Sequence, residues 1–141
     1  MRSKLVLKSL AAAIVMIGLL MVSVPASGHH GTGISYDLTK TVTSKGVIVS
    51  FAFRNPHAQL YWDAKDEKGE IVHWSAEMNA PSNFERAGLS RSKLVEILKP
   101  GLEVTVTGFG SRTGAPVLVF SKAVTSNGGE VKSIGGPGKI D

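Results

Sequence analysis

The chain has 141 residues, with 16 Lys and Arg against 11 Asp and Glu, a formal net charge of +5 and no Cys. The lack of Cys excludes disulfides, thiol chemistry and a lipid anchor on an N-terminal Cys. Three bases and no acid fall within residues 1–28, so the other residues carry 13 bases against 11 acids, a charge of only +2. This small charge removes the electrostatic argument for a nucleic-acid partner.

Residues 1–28 have the pattern of a secretory signal peptide. A basic N-terminal region precedes an apolar run from Leu10 to Val24, and small residues follow at positions 26–28. The apolar run is shorter than the roughly 20 residues of a membrane-spanning helix. We expect cleavage near residues 26–28, a periplasmic or secreted product, and no stable membrane insertion after cleavage. An uncleaved anchor is the alternative.

The first predicted strand precedes the most regular part of the chain. We expect an extended N-terminal arm over residues 29–40 and a long strand over residues 41–53. Gly46 indicates a bend or bulge in that strand. Alternate residues give the strand one apolar face, formed by Val47, Val49, Phe51 and Phe53. Pro56 then ends the strand, since proline has no amide hydrogen for a ladder.

Residues 57–78 have the strict alternation of apolar and polar residues that is typical of half-buried strands. The segment Glu67–Gly69 fits a three-residue hairpin loop. The resulting register places Trp62 opposite Trp74 on the core side, and a shift by one residue would expose one Trp. The other face then carries three polar pairs, which are Asp63 with His73, Gln59 with Glu77, and His57 with Asn79.

The second half of the mature chain predicts helices first and strands afterwards. Pro81 and Ser90 suit the starts of two short helices. Strands are expected over residues 102–107 and 117–124, with a turn-rich loop over residues 108–114. The Gly-rich tail, residues 126–141, is expected to be mostly disordered, with at most one short strand near Val131.

The predicted order is strand, strand, strand, helix, strand, strand. This order favours an all-β fold with one or two short helices, a small five-stranded OB-like barrel over residues 41–125. A small open β-sandwich or roll with the same elements is the rival. The long first strand with its internal Gly favours the barrel.

The end of the predicted signal peptide suggests a metal site. Cleavage after Gly28 would make His29 the N-terminal residue, which offers its α-amine and its ring to one ion. Cleavage after Ala26 would place His29 third, where amine, two amides and ring form a square-planar set for Cu(II) or Ni(II). His30 follows directly, and His57 and His73 are the candidates to complete a site for one copper ion. The alternative is two His residues on a solvated arm.

The polar face of the hairpin is the second candidate site. Gln59, Tyr61 and Glu77 share this face and would contact a ligand or a partner. OB barrels bind single-stranded nucleic acids through exposed aromatic residues. Only Tyr61 is predicted there, which argues against such a stacking surface. The chain contains no GxSxG, HExxH or Gly-rich phosphate-loop motif.

These motifs, in their order, resemble a family of small exported proteins, mainly proteobacterial, known as a domain of unknown function. The matching positions run from His29 and His30 through Asn55-Pro56-His57, Trp74, Glu77, Pro81, Arg86 and Gly88 to Leu98-Lys99-Pro100-Gly101 and residues 104–108. The chain departs from the pattern at Gly31, at Leu89 and in a longer segment before Leu98. The resemblance implies export and a compact β-domain, and it implies no activity.

Two functional hypotheses follow. The first is an exported, non-enzymatic binding protein that holds a copper-type ion through the processed His pair. The second is a metal-free envelope interaction module that binds another exported protein or a small ligand on its barrel face. Neither hypothesis includes an enzymatic activity or a nucleic-acid partner.

Overall fold

The computed structural model describes residues 32–140. The strands are β1 (Tyr36–Ala52), β2 (Gln59–Lys65), β3 (Ile71–Glu77), β4 (Glu103–Ser111), β5 (Val117–Thr125) and β6 (Glu130–Lys132). The helices are α1 (Thr32–Ser35), α2 (Pro81–Arg86) and α3 (Arg91–Ile97). Within this part of the chain, none of the helices has the length and apolar character needed to cross a membrane.

The strands form a closed barrel with the OB arrangement. The sheet order is β3-β2-β1-β4-β5-β6, and a parallel pairing of β3 with β5 closes the first five strands on one another. Helices α2 and α3 lie between β3 and β4 in the chain. The predicted all-β fold and its OB-like order are therefore confirmed.

The β2–β3 hairpin has the predicted register. Trp62 pairs with Trp74, Asp63 with His73, and Gln59 with Glu77. The two indole rings stack with centroids 5.9 Å apart and an interplanar angle of 16°. Trp62 is fully buried and donates its indole N–H to Ser44 Oγ at 3.0 Å, so the buried polar group has a partner.

One apolar core fills the barrel and continues beneath the helices. It includes Trp62 and Leu60 from β2, Phe84 from α2, and Leu94 from α3. Pro81 stands at the start of α2, and the Ser90 side chain accepts the Lys93 amide at the start of α3, as the helix signals predict.

β1 differs from its predicted form in three ways. It begins at Tyr36, directly after α1, where the sequence predicted an extended arm to residue 40. The irregularity toward β2 lies between Ile48 and Ser50 and not at Gly46. The extra residue reverses the alternation: before it Ile48 is buried and Val47 exposed, Val49 within it is exposed, and after it Phe51 and Phe53 pack against the core. The predicted single apolar face of four residues was therefore wrong.

Gly46 and Gly108 are required by close packing of strands. A Cβ at Gly46 would overlap the Asp63 carbonyl oxygen, and one at Gly108 would overlap the Val119 carbonyl oxygen. Gly108 belongs to β4, which continues to Ser111. The predicted loop over residues 108–114 was wrong in its first half. Gly108 permits close contact between strands there and does not form a turn.

The C-terminal tail is ordered up to residue 140, where the sequence predicted disorder. β6 pairs with β5, and Val131 and Ile140 are buried. Asn79 is fully buried and its amide contacts three backbone groups of the tail, the Ile134 carbonyl, the Lys139 carbonyl and the Ile134 N–H, at 2.8–3.1 Å. The tail is thus held by a side chain more than 50 residues earlier in the chain.

Candidate binding site at one end of the barrel

Three segments bring polar side chains together at one end of the barrel. Glu77 is the last residue of β3, and it faces outward because its neighbours Ala76 and Met78 are buried. Tyr36 is the first residue of β1. His57 precedes β2, where the Ala58 amide donates to the Asn79 carbonyl at 3.2 Å and extends the hairpin. These three residues are called the His57 cluster below.

Glu77 holds both other members of the His57 cluster. His57 Nδ1 lies 2.6 Å from Glu77 Oε1, and the Tyr36 hydroxyl donates to Glu77 Oε2 at 3.2 Å. The side chains of His57 and Glu77 are 21% and 31% exposed. A contact of this length between an imidazole and a carboxylate, partly shielded from water, has the geometry of a charge-assisted hydrogen bond.

The His57 cluster changes the acidity of its phenol. Burial raises the pKa of Tyr36 from 10.0 to about 12, and the charge and hydrogen bond of Glu77 act in the same direction. All three effects disfavour a second negative charge beside the carboxylate. Tyr36 therefore remains a hydrogen-bond donor throughout the ordinary pH range.

Gln59 and Tyr61 adjoin the His57 cluster on the outer face of the hairpin. Gln59 pairs with Glu77 across the strands, and the Tyr61 hydroxyl donates to Gln59 Oε1. Both residues are half-buried. The polar face on which the sequence placed Gln59, Tyr61, Glu77 and His57 is therefore present, but the direct contact of His57 with Glu77 was not predicted.

His73 occupies a different place. Its Nδ1 lies 2.6 Å from Asp63 Oδ1, but its side chain is 82% exposed. Asp63 is six residues beyond His57 along the hairpin, a separation of about 20 Å at the rise of a strand. The structure thus does not bring His57 and His73 into one site.

The two other histidines that the sequence predicts as ligands, His29 and His30, lie outside the described residues. Over residues 32–140, no group of three or more His, Cys, Asp or Glu side chains is arranged to hold a metal ion.

The predicted pairing of His57 with Asn79 was wrong at the level of side chains. The backbone of Asn79 continues the hairpin, but its amide turns inward to the unpaired backbone groups of the tail. His57 contacts Glu77 instead. Tyr36 was missed altogether because it was assigned to an extended arm, and its only sequence signal is its position just before a β-prone run.

Two shallow grooves lie on the outer face of β1, β2 and β3. One of about 400 Å³ is lined in part by Val47, Asp63 and Ile71. The second, about 250 Å³, is lined in part by Val49, Tyr61 and His73. Val47, Val49 and Ile71 are 43%, 52% and 62% exposed, so this face is more apolar than the alternation predicted.

The fold and the His57 cluster define a small OB-like barrel with a carboxylate-bound histidine at one end. A model of a family of unknown function, DUF6152, matches residues 15–118, and the chain belongs to this family. No curated protein matches the chain. A solved structure, the mitochondrial single-stranded DNA binding protein Rim1 of S. cerevisiae, is similar with a TM-score of 0.46 and 15% identity, covering 64% of this chain and 96% of that one.

Proposed function

We propose that this protein is an exported, non-enzymatic binding protein that holds one copper-type ion. The ligands are the α-amine and ring of His29 after cleavage at Gly28, with His30 beside them, and the ring of His57 as the nitrogen from the fold. Nitrogen ligands in a planar or T-shaped arrangement suit Cu(II) better than hard cations such as Mg²⁺ or Ca²⁺.

The observation that carries the proposal is the contact between His57 Nδ1 and Glu77 Oε1 at 2.6 Å. Histidine ligands of metals commonly donate their second ring N–H to a carboxylate, which orients the ring and raises its basicity. Glu77 occupies Nδ1 in this way, so Nε2 is the nitrogen left for an ion. The same relation at His73 and Asp63 is far more exposed, which favours His57 as the ligand.

The test is a competition titration of the exported protein with Cu(II) and a chelator of known affinity. The double variant His29→Ala/His30→Ala is expected to lose tight binding with its fold intact, and His57→Ala is expected to weaken binding by at least tenfold. His73→Ala is the matched control and should bind as the wild type. Retained sub-micromolar affinity in the double variant would remove the proposal.

The same titration separates the two cleavage products. If cleavage follows Ala26, the amine, two amides and His29 ring complete a square-planar set without the fold. His57→Ala would then bind copper as tightly as the wild type while the double variant would not. That result would keep the ion on the His pair and remove His57 from the site.

A second candidate function is supported by the exposed apolar residues of the barrel face. Val47, Val49 and Ile71 surround the two grooves and lie beside Asp63 and His73. Exposed apolar groups next to polar ones are typical of protein-binding surfaces. On this alternative, the protein contacts another exported protein or a small ligand through this face, without a metal.

The two functions are distinguished by substituting different sets of residues. In a pull-down from periplasmic extract, Val49→Lys or Tyr61→Ala is expected to abolish capture of such a partner, and His29→Ala/His30→Ala is expected to leave it unchanged. Capture that persists in both face variants would contradict the alternative.

A further inference from the structure

We infer that Glu77 and Tyr36 are positioning residues that hold the His57 imidazole in one tautomer, with its proton on Nδ1 and its free electron pair on Nε2. The inference deepens the proposed copper site and rests on it only for the identity of the ion. It assigns a role to two residues outside the ligand set, and it can be tested in the metal-free protein.

The proton between His57 and Glu77 belongs to the imidazole. A carboxylate without a proton can only accept hydrogen bonds, whereas each imidazole nitrogen either donates or accepts. At 2.6 Å from Glu77 Oε1, Nδ1 must therefore carry the hydrogen. In the neutral ring this leaves Nε2 unprotonated, which is the form that binds a metal ion.

Tyr36 helps to orient the Glu77 carboxylate. The Tyr36 hydroxyl donates to Oε2, so each oxygen of Glu77 has its own donor. Glu77 stands at the end of β3, where β3 still pairs with β5 through residues 75–77. Tyr36 pairs with Ser111 of β4, ahead of an irregularity that separates this pair from the continuous pairing that starts at Thr41. Two strands thus position the carboxylate that His57 contacts.

His73 in the same hairpin has the same kind of partner as His57 but a more exposed ring. His73 contacts Asp63 at the same distance of 2.6 Å, but its side chain is 82% exposed, against 21% for His57. Water competes with Asp63 for the exposed His73 ring, so the ring exchanges between its two tautomers. A solvated ion pair contributes too little stabilisation to hold one of them. His73 is therefore an internal control with the same chemical partners in a different environment.

The measurement is the tautomeric state of each histidine in protein labelled with ¹⁵N-histidine. Long-range ¹H–¹⁵N spectra of the metal-free exported protein distinguish a protonated ring nitrogen from an unprotonated one, at a pH where the rings are neutral. We expect His57 to be almost entirely in the Nδ1–H form and His73 to show averaged values. A His57 ring protonated on Nε2 would overturn the inference without any variant.

Variants then separate the two positioning residues. Glu77→Gln leaves one acceptor oxygen for two donors and offers an amide N–H₂ to the ring, so the Nε2–H form should rise. Glu77→Ala is the second variant if the amide keeps the original contact. Tyr36→Phe should give a smaller shift in the same direction. A Tyr36→Phe protein with the wild-type tautomer would remove Tyr36 from the inference, and Asp63→Asn should leave His57 unchanged.

The copper readout distinguishes this inference from the proposed function. Loss of an outer partner of a metal-bound histidine typically weakens metal binding by about 10- to 100-fold, so Glu77→Gln should do so and Asp63→Asn should not. A fixed tautomer without tight copper binding would support the inference and contradict the proposed function. Tight copper binding through His57 that Glu77→Gln leaves unchanged would do the reverse. Unchanged circular dichroism in each variant excludes unfolding as the cause.

Discussion

Tyr36 ties the start of β1 to Glu77 through a hydrogen bond that exists only while the phenol is protonated. Its pKa is raised from 10.0 to about 12, chiefly by burial. Because the pKa is higher in the folded state, the phenol makes its full contribution to the free energy of unfolding at pH values below the unfolded pKa of about 10. This contribution is lost as the pH rises to about 12. The wild type should therefore lose stability over that range more steeply than Tyr36→Phe.

Urea unfolding at pH values from 9 to 12 would measure this difference. Tyr36 and Tyr61 are the only tyrosines of the chain, so a parallel absorbance titration of phenolate formation in both proteins assigns the late step to Tyr36. Equal slopes of unfolding free energy against pH in wild type and Tyr36→Phe would contradict the burial of this phenol.

Asn79 is the residue on which the order of the tail depends. Its buried amide pairs with two carbonyls and one N–H of residues 134 and 139. Asn79→Ala would leave these three backbone groups without that partner, so we expect a loss of about 2 to 4 kcal/mol in the free energy of unfolding. Asn83→Ala, which removes only an exposed contact to Arg86, should cost less than about 1 kcal/mol. Equal losses in chemical denaturation would show that Asn79 does not anchor the tail.

At the scale of elements, β4 and β5 approach each other closely at Gly108. A Cβ at position 108 would overlap the Val119 carbonyl oxygen, a backbone atom that cannot move aside as the end of a flexible side chain could. Gly108→Ala is therefore expected to cost more than about 2 kcal/mol of unfolding free energy. Gly33→Ala, where a Cβ would have no neighbour within 4 Å, should be close to neutral in the same thermal or chemical melt. A neutral Gly108→Ala would mean that β4 does not pair with β5 in this register.

Elements whose pattern is local could be predicted from the sequence, and those that depend on distant partners could not. The hairpin register follows from the alternation around Trp62 and Trp74 and from one loop length. The bulge after Ile48 and the order of the tail depend on pairing with β2 and on Asn79, contacts that composition does not reveal. For the same reason the sequence pointed to His57 and Glu77 separately, while Tyr36, 41 residues from Glu77, was missed.

At the scale of the whole molecule, the tail contributes to the barrel and is not an appendage. It supplies β6 and the buried side chains of Val131 and Ile140. Burial of each aliphatic side chain is worth about 1.5 to 3 kcal/mol, so truncation after Ser126 should lower stability by several kcal/mol and reduce Tm. Truncation after Ile140 is the control. An unchanged Tm in the shorter protein would contradict the packing of this segment.

The proposed copper site depends on two steps, cleavage of the proposed signal peptide before His29 and the binding of one copper ion. Native mass spectrometry of protein recovered from the periplasm, before and after one equivalent of Cu(II), reports the cleavage position and the metal stoichiometry together. We expect a chain that begins at His29 and retains one copper ion against a competing chelator. An uncleaved chain, or copper lost completely to the chelator, would contradict the proposed site and leave only the barrel-face alternative of the two.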